Sequence, residues 1–260
     1  MKQFIKAYWK TVLFFVLVGL VGGFFVGLYM LESYPADIQA QLLDDMRAEG
    51  LDFLPANVML GLLTAVQSAG YGLVCGALGI ALARRVGLWK DERRIARGPL
   101  AAAIVVSVLS GAVMILADVF VFGEYSAVIA RSYDSKPTLP YMIASIIYGG
   151  ILEEVMLRLF MMSLIAWILH MLFTRKREHT PTAILAVANV AAALLFAAGH
   201  LPATLLMIGD SPMILARCFL LNGGIGLAFG WLYRKYGLRY AMIAHGGCHV
   251  VSKLIWILFL

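Results

Sequence analysis

Long apolar runs dominate this 260-residue chain and constrain its fold more than any other feature. They fall near residues 11–31, 58–83, 99–122, 140–173, 181–200, 213–233 and 240–260. A helix needs about 20 mostly apolar residues to cross the hydrocarbon core of a bilayer, and every run is long enough. The pattern therefore predicts an all-α fold, a polytopic membrane helix bundle of about seven transmembrane helices, within a range of six to eight.

Composition and charge support this prediction. The chain is 62% hydrophobic and 14% charged, whereas soluble domains have about 45–50% apolar and about 25% charged residues. The net charge of +6 does not indicate a nucleic-acid partner, because the basic residues form short clusters between apolar runs instead of one continuous face. These clusters occupy alternate connections, which is typical of cytoplasmic loops and predicts a cytoplasmic N-terminus. Their members are Lys2, Lys6, Lys10, Arg84, Arg85, Lys90, Arg93, Arg94, Arg97, Arg175, Lys176, Arg177, Arg234, Lys235 and Arg239.

Two segments depart from the simple pattern of spans and short loops. The 140–173 run would be ~51 Å long as one helix, longer than a hydrocarbon core of ~30 Å. We therefore expect it to tilt, to protrude, or to break near Gly149 and Gly150. The connection 32–57 carries apolar residues at helical spacing, which predicts a short amphipathic helix outside the membrane on the extracytoplasmic side.

Three charged residues lie inside the fourth run: Glu153, Glu154 and Arg158. Each costs roughly 2.5–3.5 kcal/mol at the centre of a membrane helix, so a functional site is the default hypothesis. Glu154 and Arg158 are four residues apart and share a helix face, which predicts a supporting ion pair. Glu153 points about 100° away from Glu154. It lacks such a partner and is the candidate general base.

Three of the five histidines lie in or at the ends of apolar runs. His200 ends the fifth run, and His245 and His249 lie four apart in the last one, so both imidazoles share one helix face. Together with Glu153 these residues fit two chemistries. In the first, Glu153 and His200 activate a water while His245 and His249 stabilise an oxyanion. In the second, His245, His249 and a third ligand, His200 or Glu153, bind zinc and leave a position for water.

The ordered motifs resemble those of a known family. Glu153-Glu154-x-x-x-Arg158, Phe196-x-x-x-His200 and His245 with a polar residue four positions later are similar to the motifs of the CAAX-protease and bacteriocin-processing membrane peptidases, the CPBP or Abi family. The resemblance covers roughly residues 140–253. It implies an intramembrane endopeptidase with a membrane-associated protein or peptide as substrate. The predicted organisation is therefore N-terminal helices in 1–130 and a catalytic core in 140–260.

The resemblance also implies roles for individual residues. Glu153 and His200 would activate the water, and His245 and His249 would form the oxyanion site. The family usually has Asn where this chain has His249, and Gly where it has Leu159; the cofactor, zinc or none, stays open. A bacterial inner (cell) membrane is the expected location.

The same residues also fit two alternative functions, and their positions raise one geometrical difficulty. The chain could instead be a non-catalytic immunity or assembly factor that keeps the motifs as a polar core, or a carrier that uses them as a proton relay. The difficulty is that the span boundaries put His200 near the outer end of its helix and His245 near the cytoplasmic end of its own. A common site requires tilted or broken helices, or a different boundary.

Overall fold

The computed structural model describes residues 2–91 and 94–260, and Arg93 of the predicted cytoplasmic clusters lies outside them. The described chain is almost entirely helical, and we number its α-helices in chain order. Their bounds are α1 Lys2–Ser33, α2 Ala36–Ala48, α3 Ala56–Arg85, α4 Arg97–Phe120, α5 Ala127–Arg131, α6 Leu139–Thr174, α7 Thr182–Met207, α8 Pro212–Tyr236 and α9 Leu238–Phe259. A short 3₁₀ turn, Phe122–Tyr125, separates α4 from α5.

Seven of these helices are long and apolar enough to span a membrane: α1, α3, α4, α6, α7, α8 and α9. The predicted all-α polytopic bundle of about seven spans is confirmed. Large apolar side chains remain exposed along the spans, for example Phe14 on α1, Val108 on α4 and Leu194 on α7. Soluble monomers rarely expose wide apolar surfaces, and lipid is the solvent that suits such residues. The chain is an integral, multi-pass membrane protein.

Helix α6 is the longest span, with 36 residues, and it is continuous through Gly149 and Gly150. Instead of breaking there, the helix widens into π-helical turns over Ser145–Glu153 and Val155–Met162. Such turns replace i→i+4 by i→i+5 hydrogen bonds and are frequent at functional sites. Helices α1, α3, α7 and α9 all pack against α6, so the charged residues of this helix lie in the interior of the bundle.

The connection between α1 and α3 contains the amphipathic helix α2. Its Met46 is buried against Met59 and Leu60 at the start of α3, and Leu42 packs at the edge of this cluster. Its charged residues face outward, and Asp44 and Arg47 form an exposed ion pair at 2.7 Å. Helix α2 therefore covers one end of the α1–α3 pair with an apolar stripe.

The two ends of the bundle differ in charge. At one end, which we call the basic end, cations pack over aromatic rings: Arg84 over Tyr8, Arg85 over Trp167, and Lys235 over Trp231. Gly237, with φ of +104°, turns the chain sharply between α8 and α9 at this end. Aromatic residues beside basic ones are typical of the membrane–water interface.

Close backbone contact joins α6 to α9. A Cβ added to Gly150 would lie 2.6 Å from the Cα of Gly246, so the two helices meet at a pair of glycines. We expect Gly150→Ala to lower the thermal stability of the purified protein, because a backbone atom cannot move aside as a side chain can. The matched control is Gly70→Ala, where the added Cβ meets nothing within 4 Å. Equal melting temperatures for the two variants would contradict this packing.

Candidate functional site

Four of the predicted site residues, Glu153, His200, His245 and His249, line one cavity of about 280 Å³ inside the bundle. Helix α6 supplies Glu153, α7 supplies His200, and α9 supplies both other histidines. Residues from the N-terminal half of the chain also line it, namely Val26, Tyr29 and Met114. The cavity is therefore built jointly by both halves of the chain.

His200 does not end its helix, contrary to the boundary expected from sequence. Helix α7 continues through Pro202 to Met207, which is tolerated because neighbouring groups in membrane bundles satisfy the backbone that proline leaves unbonded. His200 consequently lies within the span, where it reaches the same cavity as His245. Its Nδ1 is 2.8 Å from the carbonyl oxygen of Phe196. A carbonyl oxygen only accepts, so Nδ1–H donates and the other ring nitrogen, Nε2, is left as an acceptor in the neutral ring.

Glu154 and Arg158 are in contact in the core beside the cavity. Arg158 Nη1 lies 3.1 Å from Glu154 Oε1, and both side chains are almost completely buried, at 2% and 0% exposure. Arg158 Nη2 also donates to the carbonyl oxygen of Gly226 at 3.0 Å, and its guanidinium lies 4.8 Å from the ring centre of Phe196. Gly226 leaves room for this contact, because an added Cβ would lie 3.0 Å from Nη2.

His245 connects this ion pair to Glu153. Its Nδ1 lies 2.8 Å from Glu154 Oε1, and its Nε2 lies 3.9 Å from Glu153 Oε2. The imidazole stacks on Phe229 at 4.6 Å, which fixes its plane. Since a carboxylate accepts, Nδ1–H donates to Glu154, and Nε2 faces the cavity. The contact between Glu154 and His245 was not expected from sequence, which paired Glu154 only with Arg158.

His249 lies parallel to His245, with ring centres 5.1 Å apart. A Cβ added to Gly149 would lie only 2.8 Å from its Nε2. Glycine at this position therefore makes room for the imidazole beside Glu153. The Nδ1 of His249 is buried and has no hydrogen-bond partner within the described part of the chain.

A catalytic zinc site needs three protein ligands aimed at one point. Within residues 2–91 and 94–260, no three His, Cys, Asp or Glu side chains converge as such a set of metal ligands. His245 Nδ1 lies against Glu154, and its Nε2 lies 3.9 Å from Glu153 Oε2. The described side chains therefore provide acid–base groups for a water but no assembled set of zinc ligands.

Sequence reasoning missed a second polar group in the membrane-spanning helices. Arg217 on α8 contacts both carboxylate oxygens of Asp118 on α4, each at 2.5 Å, and the Tyr133 hydroxyl donates to the same carboxylate at 2.9 Å. These residues and Lys253 of α9 line a larger cavity of about 520 Å³. Asp118 and Arg217 could have been found by the criterion that found Glu153, because each is a charged residue inside an apolar run.

A comparison with protein families finds a match over part of the chain. Residues 134–251 match the family described as type II CAAX prenyl endopeptidase Rce1-like. The matched segment contains all six residues singled out from the sequence, and the family is one of proteases. No significant match was found among curated proteins or solved structures. The resemblance predicted from the sequence is confirmed as a match of residues 134–251 to the Rce1-like family, which is a family of CAAX proteases.

Proposed function

We propose that the chain is an intramembrane endopeptidase that hydrolyses a peptide bond of a membrane-associated protein or peptide with an activated water. The observation that supports this most strongly is the convergence of Glu153, His200 and His245 on one cavity within the bundle. The site also contains a carboxylate, an imidazole acceptor and an imidazole held by a buried carboxylate. Water attack on an amide requires such groups.

The proposed reaction proceeds in two steps. Glu153, assisted by His200 Nε2, takes a proton from the water as its oxygen attacks the carbonyl carbon, and the tetrahedral intermediate forms. The C–N bond then breaks, and Glu153 returns the proton to the departing amine. Each peptide bond consumes one water and gives one carboxylic acid and one amine.

His245 is the proposed donor to the oxyanion. Its Nδ1–H is directed to Glu154, so donation from Nε2 requires the protonated imidazolium. The buried Glu154 carboxylate stabilises that positive charge, as an acid beside histidine does in other hydrolases. His249, stacked on His245, is the proposed second donor.

The distribution of charge supports an orientation for the site. Basic residues at one end of the bundle favour a cytoplasmic location for that end and for the N-terminus. The catalytic cavity includes Tyr29 near the end of α1 and Tyr141 near the start of α6, which belong to the opposite half. We therefore propose that substrates reach the site from the extracytoplasmic side of a bacterial inner membrane.

His200→Gln tests the role of the imidazole. We expect it to reduce kcat/KM for cleavage of a membrane-anchored peptide by roughly 10²-fold, because general acid–base groups typically contribute 10²–10⁴-fold. The control is His170→Gln, since His170 bonds Thr174 at the basic end of α6, away from the cavity. If the chain is instead a non-catalytic assembly factor, the wild type, His200→Gln and His170→Gln will all fail to cleave the peptide. Full activity of His200→Gln would exclude the imidazole from the reaction.

A further inference from the structure

The catalytic cavity is also lined by Asn222 of α8, which has no part in the reaction described above. Asn222 carries the one amide side chain among the described residues that line this cavity. An amide combines a hydrogen-bond donor with an acceptor and has no charge. Its side chain is therefore suited to contact a peptide group, which has the same donor and acceptor.

The orientation of the Asn222 amide follows from its contacts with Cys218. Nδ2 donates to the carbonyl oxygen of Cys218, four residues earlier on α8, at 3.0 Å, and it lies 3.7 Å from the sulfur of the same residue. A carbonyl oxygen only accepts, so this contact identifies the amide nitrogen. The amide oxygen, Oδ1, accepts no hydrogen bond from any residue that the structure describes. Asn222 therefore presents to the cavity an acceptor that lacks a donor.

Cys218 holds this part of α8 against α7. Its side chain is completely buried, and its thiol donates to the carbonyl oxygen of Ala197 at 3.3 Å. Ala197 lies three residues before His200, almost one helical turn. Asn222 is consequently fixed beside the part of α7 that supplies the imidazole.

Two other residues on the same face of α8 contact the catalytic groups. Gly226 accepts the hydrogen bond from Arg158, and Phe229 stacks on His245. They follow Asn222 by four and seven residues, intervals that keep side chains on one helix face. The rise of the helix puts Asn222 roughly 10 Å from Phe229 along the axis. An extended peptide advances by roughly 3.3–3.6 Å per residue, so this separation corresponds to about three residues.

The carboxylate and the imidazoles of the cavity already have proposed roles. Glu153 and His200 act on the water, and His245 and His249 donate to the oxyanion. A peptide that fills the cavity displaces solvent, so its main-chain N–H groups must find acceptors in the protein. An unpaired donor inside a membrane bundle is costly. Oδ1 of Asn222 is an acceptor that the reaction leaves available.

We propose that Asn222 is a substrate-binding residue whose Oδ1 accepts a main-chain N–H of the substrate, within about three residues of the scissile bond. This inference rests on the proposed peptidase function. The contact involves only the backbone of the substrate. It therefore fixes the register of the substrate chain relative to Glu153 without selecting a particular side chain.

Substrates that lack a single main-chain N–H test the proposal. Replacing one residue of a cleaved peptide by its α-hydroxy acid puts an ester oxygen in place of that N–H, while the scissile amide is kept throughout. We expect one position within about three residues of the scissile bond at which the wild type loses roughly 5–50-fold in kcat/KM, the effect of leaving a buried acceptor unpaired. Equal kcat/KM for all the ester peptides and the parent peptide would overturn the proposal.

Asn222→Leu removes the amide and keeps a side chain of similar size. We expect it to lose roughly 5–50-fold in kcat/KM on the parent peptide and to show no further loss with the ester at the sensitive position. Asn222→Ala serves the same purpose if leucine disturbs the fold. Losses that multiply in either variant would show that the amide and the N–H act independently, which would overturn the proposal.

The matched control is Asn189→Leu. Asn189 also donates to a backbone carbonyl of α8, that of Leu227, at 3.1 Å, but it does not line the cavity. We expect this variant to keep the full effect of the ester at the sensitive position. Loss of the ester effect in Asn189→Leu as well would show a general change in the packing of α7 and α8, and would overturn the assignment to Asn222.

Binding gives a readout that does not depend on turnover. A fluorescein-labelled hexapeptide of alanine and leucine and its single-ester analogues are titrated into Glu153→Gln, with and without Asn222→Leu, and anisotropy is measured. We expect one ester to weaken binding only when Asn222 is present. If that result holds while the wild type cleaves nothing, the proposed function fails and the Asn222 contact stands. Esters that change the affinity by the same factor with and without Asn222 overturn the contact.

Discussion

Glu153→Gln is expected to abolish peptide cleavage while the protein stays folded. Glutamine has nearly the same shape as glutamate but cannot take a proton from water, and a general base at the reacting centre typically contributes 10²–10⁴-fold. We therefore expect kcat/KM to fall by roughly 10³-fold. The Glu153 side chain is 19% exposed and lies 3.9 Å from His245 Nε2, and it forms no hydrogen bond with any residue that the structure describes. The substitution should leave the melting temperature nearly unchanged.

The control for this experiment is Glu124→Gln, which changes an exposed carboxylate beyond the end of α4. It should keep wild-type activity and stability. Initial rates on one membrane-anchored peptide, with circular dichroism of each preparation, separate loss of chemistry from loss of fold. Wild-type rates in Glu153→Gln would remove this carboxylate from the reaction.

The buried pair of Glu154 and Arg158 predicts a different result, a loss of stability. In Glu154→Gln, Arg158 keeps its charge but loses its anion, and breaking a buried pair costs about 3–5 kcal/mol. We expect the melting temperature to fall by roughly 10 °C. In Arg158→Met the loss should be smaller, because Glu154 keeps its 2.8 Å contact with His245.

The double variant Glu154→Gln, Arg158→Met separates stability from chemistry. With both charges removed, we expect most of the lost stability to return, since apolar replacement of a buried pair is often neutral. Activity should stay low, because His245 has lost the carboxylate that stabilises its protonated form. The exposed pair of Asp44 and Arg47 is the control, and Asp44→Asn should cost less than about 1 kcal/mol. Recovery of both activity and stability would contradict the role given to Glu154.

The sequence predicted the membrane bundle because hydrophobic length is a local property. Each of the seven runs can be assessed by itself against the thickness of a bilayer. The four-residue interval between Glu154 and Arg158 was informative for the same reason, since helical periodicity alone puts the two side chains on one face.

The contacts between helices could not be predicted in this way. The approach of Glu154 to His245 depends on α6 and α9 meeting at Gly150 and Gly246, which are distant in sequence. The boundary of α7 was misjudged because the fifth apolar run was ended at His200, whereas the helix continues through Pro202 to Met207. Proline in a membrane helix is a weak boundary, because surrounding groups satisfy the freed backbone.

The same limitation applies to the charges that were overlooked. Asp118, Arg217 and Lys253 each lie alone in an apolar run, without the adjacent charged residues that made Glu153 conspicuous. Their relationship is visible only once α4, α8 and α9 are packed around the larger cavity. A single charge within a predicted span therefore warrants the same attention as a motif.

The central claim, that the cavity of Glu153 and His200 hydrolyses peptide bonds with water, is tested most directly by cleavage in H₂¹⁸O. The wild type is purified in detergent and incubated with a peptide library, and the products are analysed by mass spectrometry, with metal content measured on the same sample. We expect discrete products with one ¹⁸O atom in each newly formed carboxylate, absent from Glu153→Gln, at a metal content far below one ion per chain. No cleavage by either protein, with Glu153→Gln still functional in the cell, would contradict the claim and favour a structural role for the polar core.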